Sequence, residues 1–161
     1  MSVQVIFRED TLIQVNIRAA TRGDLFAWSK MRAELWPHGK NSHLSELEAY
    51  FEGTSNDIVQ AYVIELKSSL IGFIELNIRN FAEGSRNTPV PYVEGWYISP
   101  EHRGNGYGKQ LMKKAEQWAR SQGFEELASD TTLDNHKSIE IHKRMGFIET
   151  DRIVCFLKKL S

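Results

Sequence analysis

The stretch "YISPEHRGNGYGKQLMKKAEQWA", Tyr97–Ala119, sets three glycines, Gly104, Gly106 and Gly108, between an arginine and a segment with a helical apolar stripe. Glycine gives up more conformational entropy on folding than other residues and packs no side chain, so such a cluster marks a need for bare backbone. A strand, a glycine-rich turn and a helix in that order gather main-chain N–H groups around an anion. The helix N-terminus adds partial positive charge. The segment therefore reads as a phosphate cradle. Spacing excludes two common versions. A P-loop places Ser or Thr after its lysine, whereas Lys109 is followed by Gln110; a dinucleotide fingerprint needs G-x-G-x-x-G on the first strand of a βαβ unit, whereas this G-x-G-x-G lies late in the chain.

Outward from the loop, Leu111, Met112, Ala115, Trp118 and Ala119 predict a helix over 109–122, with Gly123 as its stop. "YVEGWYIS" before the loop reads as a strand. Further upstream, "QAYVIELK" and "LIGFIELNIR" are β-branched strands joined by a tight turn, and "NFAEGSRNTPVP" is a loop broken by Gly84, Pro89 and Pro91. Thr21 and Asp24 form a capping-box start for a helix carrying Leu25, Trp28, Met31, Arg32 and Leu35, which Pro37 ends. "SELEAYFEG" is a short helix closed by Gly53. "VQVIFR" and "LIQVNIRAA" read as extended segments, the first as part of an N-terminal extension over 1–15. After the loop helix come a strand "EELASDTT", a helix "DNHKSIEIHKRM" closed by Gly146, and a last strand "DRIVCFLKKL". The order predicts a mixed α/β sandwich around one sheet, in a single domain over 16–161.

The chain has 161 residues, 41% apolar and 25% charged, enough for one core without metal or disulfide support. Twenty basic residues against 21 acidic ones give a net charge of -1, which offers nothing to a nucleic-acid groove. The lone cysteine, Cys155, suits a reducing compartment, and no stretch is as long and apolar as a membrane span. His43, His102 and His136 lack metal-ligand spacing, so no metal is expected. The reading is a cytoplasmic protein without nucleic-acid or membrane partners.

"YISPEHRGNGYGKQLM" resembles the acetyl-coenzyme A loop of the GCN5-related N-acetyltransferases, and "DNHKSIEIHKRMGF" is similar to that superfamily's asparagine-containing helix. "ELWP", "NIR", "VEG", "ASDTTLDN" and "GFIETDRIV", in this order, resemble the aminoglycoside 6'-N-acetyltransferases of the homodimeric branch. The resemblance implies a mostly antiparallel mixed sheet flanked by helices on both faces, acetyl-CoA as cosubstrate, and direct transfer to an amine. It implies cofactor contacts from Trp96, Tyr97 and Ile98, from the loop Arg103, Gly104, Asn105, Gly106, Tyr107, Gly108 and Lys109, and from Asn135. Asn135 is equally suited to cap its helix. For the acceptor the resemblance implies Trp36, His38, Phe81, Glu94, Asp130 and Asp151, a carboxylate and aromatic set that suits a polycation. Glu94, or a water chain ending at Asp130, would take the amine's proton. His142 stands where the superfamily has a tyrosine that protonates the leaving thiolate. The branch also implies a homodimer, with contacts around Arg79–Pro91. Two other readings fit these residues: an acetyltransferase for another amine (protein N-terminus, polyamine or small metabolite), and a non-catalytic coenzyme A-binding module.

Overall fold

The structure is a computed structural model that describes residues 15–38 and 42–160. The segment 3–8 and most of the N-terminal extension lie outside the described residues. Five strands, β1 (Val15–Ala19), β2 (Gln60–Leu66), β3 (Ser69–Arg79), β4 (Val90–Ile98) and β5 (Ala128–Ser129), form one sheet in chain order. The first four run antiparallel, and β5 lies parallel to β4. The sheet is mixed and mostly antiparallel. The tight turn between β2 and β3 is made by Lys67 and Ser68, both at positive φ.

Helices α1 (Leu25–Leu35) and α2 (His43–Glu52) cover one face, and α3 (Tyr107–Ser121) covers the other. The apolar stripe of α3 is buried against Ile64, Ile74, Leu76 and Val93. On the opposite face Trp28 of α1 and Leu47 of α2 close over Val63 and Phe73. β3 is therefore buried on both faces, which explains its nearly continuous apolar run. The Asp24 carboxylate accepts hydrogen bonds from the Thr21 main chain and hydroxyl, fixing the entry to α1 through a single 3-10 turn. The fourth helix, α4 (His136–Arg144), follows β5.

Three sequence expectations need correction. β4 begins at Val90, so Pro91 is a strand residue and not part of the loop; at a strand start its missing N–H does little harm. The strand expected from "EELASDTT" shrinks to two residues, Ala128 and Ser129. The last strand does not form: residues 147–160 adopt no regular structure, and no strand among the described residues pairs with them.

Candidate active site

The site grows from an irregularity in β4. Glu75 pairs with Gly95 and Leu76 with Val93, so Glu94 is an extra residue with no partner across the ladder. Such a bulge re-aims a side chain. Glu94 turns to the α1–α2 face and lines a cavity of about 680 Å3 with Trp36, His38, Glu46, Asp57 and Glu75. Gly95 follows, and a methyl group there would lie 2.7 Å from the Trp36 ring, so the missing side chain is what lets this aromatic wall stand against the strand. Trp36 is also stacked on His43, with ring centres 6.2 Å apart, and covered by the Arg32 guanidinium at 5.0 Å.

Beneath this cavity lies a charged group that sequence reading missed. Glu75 is 1% exposed, accepts a hydrogen bond from the Trp28 indole at 2.8 Å, and pairs with Arg32 at 3.0 Å. Arg32 reaches Glu46 as well, at 2.8 Å. Burial pushes the Glu75 carboxyl up to about 7, against the pull of Arg32 and Trp28. The available signal was the run "IELNIR", where Glu75, Asn77 and Arg79 alternate along one face of an apolar strand. Asn77 and Arg79 both bind Glu94, with Asn77 Nδ2 at 3.0 Å and Arg79 Nε at 2.7 Å from Oε1. The Arg79 guanidinium lies 3.6 Å over the Tyr92 ring, and Tyr92 donates its hydroxyl to Asp130 Oδ2 at 2.9 Å. Glu94 and Asp130 are thus linked through Arg79 and Tyr92. Phe81 and Asp151 do not line this cavity in the single chain, and both are exposed.

On the far side of Glu94 the sheet opens. β4 pairs with β5 only at Tyr92–Ala128 and Val93–Ser129, so among the described residues the main chain from Trp96 to Ile98 has no strand neighbour on that edge. An open edge of this kind offers donors and acceptors to an extended ligand. His142 sits at the fork. Its Nδ1 lies 2.8 Å from the Ser138 carbonyl, which can only accept, so Nδ1 carries a proton, and Nε2 lies 2.9 Å from the Ser129 hydroxyl. Its ring packs edge-on against Trp96 and Phe147.

The glycine loop closes the fork. Gly104 and Gly106 hold φ of 83° and 80°, the left-handed region where a side chain is strained. Gln110 is the first helical N–H to find its acceptor, on Gly106 at 3.1 Å, so those of Tyr107, Gly108 and Lys109 have no partner within the helix. Arg103 is anchored by Nε to the Ile98 carbonyl at 2.7 Å, and Gly108 approaches Trp96, which donates its indole N–H to the Gly108 carbonyl at 3.2 Å. Asn105 braces the turn on the His102 carbonyl. Asn135 caps α4, its Oδ1 accepting from the Ser138 N–H at 3.1 Å.

A cradle of unpaired N–H groups beside an open strand edge defines a domain built to hold a long anionic ligand, and the chain belongs to the acetyltransferase (GNAT) family, whose model matches residues 25–147. More narrowly, it is 38% identical to aminoglycoside N(6')-acetyltransferase type 1 of Klebsiella aerogenes, across 89% of this chain and 96% of that one. Among solved structures, AAC(6')-Iy in complex with the bisubstrate analogue CoA-S-monomethyl-acetylneamine superposes with a TM-score of 0.83 at 30% identity, covering 91% of this chain and 99% of that one. The 6'-N-acetyltransferase AAC(6')-IG from Acinetobacter haemolyticus gives 0.82 at 33% identity, with 91% and 99% coverage.

Proposed function

We propose that the protein transfers the acetyl group of acetyl-coenzyme A to the 6'-amine of aminoglycosides, in the bacterial cytoplasm and as a homodimer, and so confers resistance to them. The observation that carries this reading is the placement of Glu94, between an open strand edge with a phosphate cradle and a cavity lined by Glu46, Asp57 and Glu75. A polycationic acceptor suits such a cavity. The names of the relatives supply the 6' position.

In this reading the N–H groups between Arg103 and Lys109 hold the cofactor's pyrophosphate, and Trp96 to Ile98 hold its pantetheine arm as an added strand. Main-chain N–H near Gly95 stabilises the oxyanion that forms at the thioester carbonyl; one such donor contributes about 3 kcal/mol. Glu94 receives the acceptor's ammonium, with Asp130 beside it, and takes its proton. The amine nitrogen then bonds to the thioester carbon, the carbon–sulfur bond breaks, and the thiolate leaves. Both ring nitrogens of His142 are engaged, so its part is to hold Ser129 and Trp96 at the fork. The test is an NMR assignment of the product of acetyl-CoA and kanamycin. An acetamide at N6' is expected; acetylation at another amine overturns the regiochemistry.

The dimer is supported by the end of the chain. Val154, Phe156, Leu157 and Leu160 are 68%, 92%, 96% and 89% exposed, although burying each such side chain is worth about 1.5–3 kcal/mol. Beside β5 a groove of about 730 Å3 is walled by Phe124, Leu127, Met145 and Phe147 and edged by Glu125 and Glu126. The exposed segment carries Arg152, Lys158 and Lys159, opposite in sign to that edge. We assign the groove to the last segment of a second copy, added as a strand; twofold symmetry makes two such contacts per dimer. The loop over 80–89, within the Arg79–Pro91 region, is a poorer candidate for the contact, being tied to its own chain through Ser85 and Glu126 and through Thr150 and Glu83. Phe156→Asp combined with Leu157→Asp is expected to halve the mass seen by analytical ultracentrifugation. A wild-type chain that sediments as a monomer at micromolar concentration contradicts the dimer.

A further inference from the structure

We propose that Arg79 occupies the seat of the acceptor's ammonium, so that an incoming amine must displace it and only multiply charged acceptors do so readily. The proposal rests on the reading of Glu94 as an acceptor contact. Glu94 already receives three donors, one from Asn77 and two from Arg79, out of the roughly four a carboxylate can accept. The guanidinium grips both oxygens, lies on the face of Tyr92, and through that ring adjoins Asp130. Two carboxylates and an aromatic face are what a substrate ammonium would seek. A cation of the protein's own already holds that place.

Holding Glu94 in position does not require Arg79. Asn77 binds the same carboxylate and is itself fixed by the Asn56 carbonyl at 3.3 Å. Nor is Arg79 locked in. Its side chain is 38% exposed against 18% for Glu94, so it lies at the rim and can return to water at little cost. The opposing attraction comes from the cavity, where Glu46 and Asp57 alone exceed Arg32 in charge, Glu75 being buried beneath them with its carboxyl raised to about 7. An acceptor with several ammonium groups places some of them against these acids and thereby offsets the lost Arg79–Glu94 pair. A monoamine has only the one charge, and Arg79 outcompetes it.

The test compares wild type with Arg79→Gln, which removes the charge, and Arg79→Lys, which keeps it. Titrating coenzyme A-loaded protein with kanamycin, spermidine and glucosamine should give about tenfold tighter binding in Arg79→Gln, proportionally greatest for the monoamine, and near wild-type values in Arg79→Lys. In steady-state kinetics the acceptor KM falls in Arg79→Gln while the acetyl-CoA KM is unchanged. Unchanged or weaker amine binding in Arg79→Gln, or no amine binding by either protein, overturns the assignment and leaves Arg79 a prop for Glu94. If amines bind but wild type releases thiol with no aminoglycoside, the aminoglycoside reading fails, while the titration still decides the role of Arg79.

Discussion

Replacing Glu94 by glutamine is expected to lower kcat by about two to three orders of magnitude while the Kd for coenzyme A stays where it was. Glutamine keeps the shape of the side chain and its place at the bulge, so the strand edge at Trp96–Ile98 and the glycine loop are undisturbed. What disappears is the negative charge beside Asn77 and the ability to take a proton. An ammonium group cannot attack a thioester, and the neighbouring acids favour the ammonium form, so loss of the proton acceptor falls on turnover. Steady-state kinetics paired with calorimetry of coenzyme A separates the two effects. Unchanged kcat together with unchanged acceptor KM contradicts the role given to Glu94.

Arg32→Met is expected to destabilise the fold by about 3–5 kcal/mol, since it strips the counter-charge from a carboxylate that is 1% exposed. The loss depends on pH. The Glu75 carboxyl in the fold is already raised by burial, from the ordinary 4.5 to about 7. Between those values the native state holds a proton that the unfolded chain has released, so this group's contribution to stability is full below about 4.5 and declines as pH rises towards 7. Without Arg32 the carboxyl is raised further, and the decline continues to higher pH. Urea midpoints should therefore separate wild type from Arg32→Met more widely at pH 8 than at pH 5.5, and Glu75→Gln added to Arg32→Met should recover part of the loss. A separation that is equal at both pH values would mean that Glu75 does not titrate with folding.

These residues also mark what sequence reading reached and what it missed. Glu94 stood out in the sequence only through the resemblance of "VEG" to the aminoglycoside 6'-N-acetyltransferases, and its place at a bulge had no mark beyond Gly95. The α3 stripe was legible because helical period is a local property: the observed helix Tyr107–Ser121 begins two residues earlier and ends one residue earlier than the expected one. Arg32 was read as one more residue of a helix face and Glu75 as a strand residue, since a lone charge in an apolar run gives no hint of its partner 43 positions away. Arg79 was hidden in the same way: its partner lies across a bulge, and bulges shift register without a sequence mark other than Gly95. The last strand failed for a different reason. "DRIVCFLKKL" has the composition of a strand, but a strand exists only with a neighbour, and β5 ends after two residues. Pairing is a property of the assembly, not of the segment.

The central claim is that one cleft joins a coenzyme A cradle to a seat for a polycation. Thiol release from acetyl-CoA, followed with kanamycin, spermidine and a peptide amine side by side, tests it most directly. The account predicts rapid release with kanamycin, slow release with spermidine and almost none with the peptide. Release with the peptide alone, or with none of the three from folded protein that binds coenzyme A, would contradict it.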